Sequence, residues 1–346
     1  MIIRKARPDD NERLLALERL APQGDVIQLL SERKNYFVRA SRFDDPILMV
    51  AEDEVSGNIL GIMGVGVVPV IVSGKPVFGG LVFDWRANSQ ANQGLPRHML
   101  RLWQAVLNEV KSRQIDFLFG YVKEDNARSL KIVTRSGARL IEERVFLTIP
   151  VHRPFFRDLQ SQPVSVESTM DAHSESAILQ RVFAGRDLLP QIGDAGHAQA
   201  LADKYLKAKI SSGASSLKIW DSTGDYTHRI MRTPKYYKVA RPIFNAISHV
   251  LPLPHVPSPG EEIREWFLFD MMVDRPAELP VMLEKARRLA LEHRIDYLIV
   301  CMNEQDHLYP AMARYAWLKL KYNLLFLPLT TLDTPSAPTY FDVRYL

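Results

Sequence analysis

The chain has 346 residues, 47% hydrophobic and 24% charged, a balance that excludes disorder and suits two folded domains of comparable size. Lys and Arg outnumber Asp and Glu by 44 to 40, with the excess spread along the chain. A nucleic-acid partner, which needs a concentrated basic face, is therefore not expected, while a mildly positive surface suits an anionic small ligand.

The start, MIIRKARPDD, turns polar at once and lacks the apolar centre of a signal peptide. The longest apolar stretch, Ile59 to Val72, is broken by Gly61, Gly64, Gly66 and Pro69 and falls short of the ~20 residues of a membrane helix. A cytoplasmic protein with no membrane partner is expected. The single cysteine, Cys301, sits in the apolar run YLIVCM and reads as a buried core thiol. The nine histidines are scattered, so no metal is expected.

In chain order, IIRKARP reads as a strand, and Asn11 to Leu20 and Val26 to Tyr36 have helical spacing. Three β-rich runs follow, Pro46 to Glu52, Asn58 to Val70 and Pro76 to Arg86, separated by the turn signals VSGN and VSGKP. Leu95, Met99, Trp103, Leu107 and Val110 then place an apolar stripe along a long helix. Phe117 to Val122 is a strand, Asn126 to Ser136 a helix and Arg139 to Pro150 a closing strand. The linker is expected near His152 to Pro163, dividing a first domain, 1–152, from a second, 153–346.

In the second domain, Val164 to Glu167 reads as a strand, Glu175 to Ala184 and Ala198 to Ile210 as helices, and Ser216 to Asp221 with Tyr226 to Arg232 as a β pair. Helical spacing runs from Tyr236 to Leu251, and LPLPHVPSPGEE reads as an extended connector. Trp266 to Val273, Tyr297 to Met302 and Lys319 to Pro328 are strands, alternating with helices over Leu279 to His293 and Leu308 to Trp317. RQIDFLF around Ile115 is echoed by HRIDYLI around Ile295. With the shared element order, that echo argues for duplication of one α/β module.

Two segments carry the chemistry. ANSQANQGLPRHML, Ala87 to Leu100, has no carboxylate and leads into the long helix. Free backbone N–H groups and the helix dipole favour a pyrophosphate there, with Arg97 in the first turn to meet it. The second is NARSLKIVTRSGA, Asn126 to Ala138. It resembles the pattern of the GNAT acetyltransferase superfamily, Asn, a small residue, an aromatic and Gly at spacings of three, four and four, filled here by Asn126, Ser129, Val133 and Gly137.

That resemblance implies a fold of two tandem GNAT-like α/β modules, each a mixed, mostly antiparallel sheet flanked by helices. It implies acetyl-CoA as cosubstrate, held by the loop Asn92, Gln93, Gly94, Leu95 and Pro96 with Arg97, by Trp85 and Arg86 at the strand end, and by Asn126 and Ser129. Of that loop Gly94 matches the family pattern best, and Pro96 removes one phosphate-binding N–H. Val133 stands where many relatives place a tyrosine near the departing sulfur. Tyr121 is read either as a substitute acid or as core packing. Asp84 is read either as a base for the amine or as a structural carboxylate. In the second module Asp274 and Glu278 sit at the equivalent helix start, so that module is expected to shape the acceptor pocket and not to bind CoA.

Several stretches, RLAPQGD, DPILMVAE, LPLPHVPSPGEEIREWFLFDMMV and FDVRYL, resemble the hookless-type N-acetyltransferases, which include histidine N-acetyltransferases. The implied activity is acetylation of a primary amine of a small molecule, an amino acid among the candidates, by a monomer or homodimer. A non-catalytic CoA- or small-ligand-binding protein of this fold and an aminoacyl-tRNA-dependent transferase are the alternatives.

Overall fold

The computed structural model describes residues 1–20, 28–88, 97–152, 163–191, 193–248, 254–336 and 338–345. Its first half runs β1 (Ile2–Lys5), α1 (Asn11–Arg19), β2 (Gln28–Arg33), β3 (Asp45–Glu52), β4 (Ile59–Val72), β5 (Lys75–Ala87), α2 (Arg97–Ser112), β6 (Phe117–Lys123), α3 (Ala127–Arg135) and β7 (Arg139–Pro150). The second half opens with β8 (Ser165–Glu167), α4 (Ala172–Val182), β9 (Leu189–Pro190), α5 (Ala195–Tyr205), β10 (Leu206–Ser212) and β11 (Ser215–Asp221). It continues with β12 (Tyr226–Arg232), α6 (Lys235–Ser248), β13 (Glu262–Ile263), β14 (Glu265–Met272), α7 (Glu278–Glu292), β15 (Tyr297–Met302), α8 (Tyr309–Met312) and β16 (Leu318–Pro328).

One sheet spans both halves in the order β1-β3-β4-β5-β6-β16-β7-β15-β14-β11-β10-β8. Counted outward from the central pair β16 and β7, the two flanks are equivalent: β6 with β15, β5 with β14, β4 with β11, β3 with β10 and β1 with β8. Each flank holds one parallel pair, β5 with β6 and β14 with β15. The last strands are exchanged. β16 pairs antiparallel with β6 of the first half, β7 pairs antiparallel with β15 of the second, and the two pair with each other.

The apolar stripe of α2, Met99, Leu102, Val106 and Val110, packs on Met63, Val65 and Leu118 on one face of the sheet. Leu14 and Leu17 of α1 cover the other face over Phe83, Phe117 and Phe326. In the second half α7 does the work of α2, with Leu279, Met282 and Ala286 against Ile219, Leu268 and Leu298. Two amphipathic helices on a half-buried sheet are the expected solution to those patterns.

Local spacing misleads at four places. The helix expected over 26–36 is strand β2 followed by a 3-10 turn at Tyr36–Val38, because Gln28 to Arg33 pair with β12 from the other half. The helix expected over 198–210 ends at Tyr205, and residues 206–212 become a strand inside the sheet. Strands β11 and β12 do not pair with each other: β11 lies between β10 and β14, whereas β12 joins β2 and β13 in a separate three-stranded sheet. The helix expected over 308–317 is the single turn Tyr309–Met312. Most of the expected linker, 153–162, and residues 251–253 of the connector lie outside the described residues.

Candidate active site

Strands β5 and β6 pair over only three positions, Gly79 with Phe117, Gly80 with Leu118 and Leu81 with Phe119. Beyond them the strands part beside a cavity of about 800 Å³ lined by Val82 to Ala87 and by Gly120 to Lys123. At the same level β5 carries a bulge. Asp84 and Trp85 together oppose Met63 of β4, between the pairs Phe83 with Gly64 and Arg86 with Ile62. Asp84 takes a φ of 48°. A bulge of this kind takes backbone polar groups out of the ladder and re-aims the side chains around it.

The bulge sends successive side chains to opposite faces. Trp85 stacks on Trp103 of α2, centroids 5.6 Å apart and planes 5° from parallel. Arg86 pairs on the α1 side with Glu18 at 2.9 Å, so its guanidinium is committed to a buried carboxylate. Asp84 is buried and pairs with Arg33 at 2.8 Å and Arg39 at 3.6 Å. Burial pushes its carboxyl upward, but the guanidiniums of Arg33, Arg39 and Arg86 outweigh that and hold it below the usual carboxylate range. Arg33 also binds Glu18 at 2.8 Å. Three cations thus face two anions beneath the cavity.

Tyr121 lines the cavity on β6 and meets Phe341 edge-on at 5.3 Å. Burial pushes its phenol well above 10, Arg144 opposes that, and Cys301 and Glu142 add to it. A phenol so raised is a weaker acid than a thiol of pKa ~8.5; it can donate a hydrogen bond to a thiolate but is not driven to give up its proton. Asn126 caps α3, its Oδ1 accepting from Ser129 N at 3.1 Å, and Asn126, Ser129 and Val133 all line the cavity. No residue of α3 is fully buried, and Ala127, Arg128, Ser129 and Val133 of this helix line the cavity. Arg97 is the first residue of α2 and is exposed. The expected phosphate loop, Asn92, Gln93, Gly94, Leu95 and Pro96, lies outside the described residues.

Sequence reading missed the groups that the second half supplies. The segment from Ser222 to Arg264, inserted between β11 and β14, carries β12 and β13 over the first half's cavity; in the first half the tight turn at Ser73 and Gly74 joins β4 to β5. On it His228 Nδ1 lies 2.9 Å from Glu265 Oε2, and both line the cavity with Tyr226. His228 and Glu265 are far apart in sequence, and no local spacing links them. Arg39, also at the cavity wall, donates from Nε to the Tyr345 carbonyl at 3.2 Å.

The second half repeats the geometry beside a smaller cavity. Asp270 and Met271 of β14 bulge opposite Leu217, and Asp270 has a φ of 47°. Its carboxylate takes Lys218 at 2.9 Å and the Tyr340 hydroxyl. Phe341 packs on Trp220, Phe267 and Phe269, and the cavity beside β14 is about 350 Å³. The helix that follows begins at Glu278, which is buried and accepts from the Ser215 hydroxyl. Among the described residues no three His, Cys, Asp or Glu side chains gather as a metal site requires, and no helix is long and apolar enough to cross a membrane.

No family model matches the chain, and no curated protein does. Solved structures match over nearly its whole length. Saccharomyces cerevisiae N-myristoyltransferase with bound myristoyl-CoA is 9% identical over 94% of this chain and 78% of its own, with a TM-score of 0.62. A tandem GNAT protein from the clavulanic acid biosynthesis pathway is 12% identical over 96% and 99%, at 0.56. A putative acetyltransferase from Pyrococcus horikoshii is 10% identical over 99% and 95%, also at 0.56. The likeness extends to the GNAT superfamily fold and its tandem arrangement, and not to the narrower hookless-type family. At these identities the likeness shows the fold, and this chain has a tandem GNAT fold.

Proposed function

We propose that the protein is an acetyl-CoA-dependent N-acetyltransferase acting on the primary amine of a small molecule that also carries a carboxylate. The observation that carries this reading is the parting of β5 and β6 after three paired positions, beside the Asp84 bulge and in the cavity that Ser129 and Val133 of α3 also line. That opening passes through the sheet, so a donor on the α2 side and an acceptor on the α1 side meet at the bulge.

Acetyl-CoA supplies an acyl carbon activated as a thioester. The backbone N–H groups that the bulge releases from the ladder are the donors for the negative charge that builds on the acyl oxygen. Asp84 holds the bulge through Arg33 and Arg39, and with its carboxyl kept low it is a poor proton acceptor. Phe83 stacks on Phe43 at 5.1 Å, and Phe43 on Tyr345 at 4.6 Å, closing the space behind the bulge and favouring a short acyl group. The surplus positive charge of the Arg33, Arg39 and Arg86 cluster, with Arg39 at the cavity wall, favours an acceptor with a carboxylate. Only the first half is assigned a CoA site, because Tyr340 and Phe341 pack against the second half's bulge and Glu278 occupies its helix start.

Isothermal titration with acetyl-CoA and CoA tests the reading, and absence of binding at millimolar ligand refutes it. A panel of L-amino acids and polyamines with a free-thiol readout separates an enzyme from a non-catalytic binder, since only the enzyme releases CoA in an acceptor-dependent way.

A further inference from the structure

We infer that His228, held by Glu265, is the base that takes the proton from the acceptor amine, so that the second half supplies a catalytic residue to the first half's site. The inference rests on the acetyl-transfer reading and assigns it a residue that neither the sequence pattern nor the family motif points to.

The carboxylate nearest the bulge is unsuited to the task, because Asp84 faces Arg33 and Arg39. His228 is differently placed. Its Nδ1 sits 2.9 Å from the Glu265 carboxylate, and a nitrogen in that position carries the hydrogen. Nε2 is then the basic nitrogen, and the carboxylate stabilises the imidazolium that forms when it is protonated. The groups around the ring are Tyr226, with centroids 5.2 Å apart, Glu265 of β14, Ser31 opposite on β2 and Ile263 opposite on β13. The charged neighbours on β2 and β12 are committed elsewhere, Glu32 to Arg229 and Arg33 to Glu18 and Asp84. A short chain of contacts ties His228 to the bulge: Arg33 meets Asp84 at 2.8 Å and lies 5.8 Å from the Tyr226 ring, which touches His228. All of these side chains belong to one cavity wall or to the layer directly beneath it.

The step balances without any further reactant. The neutral amine nitrogen forms a bond to the acyl carbon, the carbon–sulfur bond breaks, the N–H proton moves to His228 Nε2, and the same proton equivalent leaves with sulfur as the CoA thiol. A His–Glu pair that merely fastened β12 to β14 would contribute to stability and nothing else.

The full-length protein with acetyl-CoA and the amine panel distinguishes these roles. His228→Ala is expected to lower kcat for the best amine by about 10²–10⁴ with the Kd for acetyl-CoA unchanged, and added imidazole is expected to restore part of the rate. His228→Gln, which keeps a hydrogen-bonding side chain on β12, is expected to show the same loss, and Glu265→Gln a loss of roughly tenfold. Independently of turnover, diethylpyrocarbonate followed by mass spectrometry is expected to modify His228 in the free protein and to spare it when acetyl-CoA is present. Turnover within threefold of wild type in both His228 variants, or a His228 that reacts equally with and without acetyl-CoA, overturns the assignment while leaving acetyl transfer standing. Failure of the wild-type protein to bind acetyl-CoA overturns the transfer reading and this assignment together.

Discussion

Asp84 and Asp270 are structural equivalents: each sits in a bulge on the second strand outward from the central pair, each has a φ near 48° (48° and 47°), and each is buried against a cation, Arg33 at 2.8 Å and Lys218 at 2.9 Å. A non-glycine residue holds that conformation only where its surroundings over-determine it. Here the ion pair does so twice, although the cavity beside the Asp84 bulge, about 800 Å³, is more than twice the size of the one beside Asp270, about 350 Å³.

Removing the Asp84 carboxylate leaves Glu18 alone against Arg33 and Arg86 beside Arg39, whereas Lys218 keeps Glu175 at 2.9 Å, so Asp84→Asn should destabilise the fold by about 3–5 kcal/mol and Asp270→Asn by less. Urea unfolding midpoints check this. Acetyl-CoA titration of the variants while still folded should show weakened binding for Asp84→Asn alone.

Gly120 stands where the gap between β5 and β6 opens, and a Cβ there would meet Val82 at an ordinary 3.5 Å. Gly120→Ala should therefore fold and bind normally. Gly120→Val projects two further methyls into the cleft and should weaken acetyl-CoA at least about tenfold, roughly 1.4 kcal/mol, with a thermal midpoint close to that of the wild type.

Acid should weaken the edge of the first half through Asp10. Burial alone would raise its carboxyl, but Arg4 at 2.7 Å, the Arg7 N–H and Arg13 hold it at about 2 against an ordinary 3.8. The folded value lies below the unfolded one, so the stabilisation is present above about pH 4 and is lost as pH falls toward 2. Asp10→Asn should be less stable than wild type at pH 7, with the difference shrinking between pH 4 and 2 in denaturant titrations.

Cys301 lies in the core strand β15, where burial pushes its thiol up to about 12. Ellman's reagent should label it slowly in the native protein and at once in urea. The same property keeps the protein's own thiol out of a CoA-release assay.

The duplication was readable because it left marks in short local strings. The RQIDFLF and HRIDYLI echo corresponds to matched backbone: Gln114 and Arg294 have φ values of 56° and 57°, and Asp116 and Asp296 each accept an N–H at 2.9 Å, from Phe78 on β5 and from Arg264 just ahead of β14. The start of α3 was likewise legible, expected at Asn126 and found to be capped by it, since a helix start is a local event. Strand β2 was not, because its helical spacing is overridden by pairing with residues almost 200 positions away. Nor was the His228 and Glu265 pair, which forms when β12 pairs with β13, 35 positions on, bringing His228 opposite Ile263. Pairing between distant strands carries no period that one segment can display.

The exchange of β7 and β16 makes each half incomplete. Cut between residues 152 and 163, the amino-terminal fragment would leave β6 with a bare edge and β7 with nothing to lie against, and the carboxy-terminal fragment would have the converse defect. Neither piece should persist alone, but the two co-expressed should find each other and rebuild the whole sheet as a heterodimer. In mechanical terms the molecule is a tethered pair of subunits that should unfold in one transition, so damage to the second half should be felt at the first half's cavity.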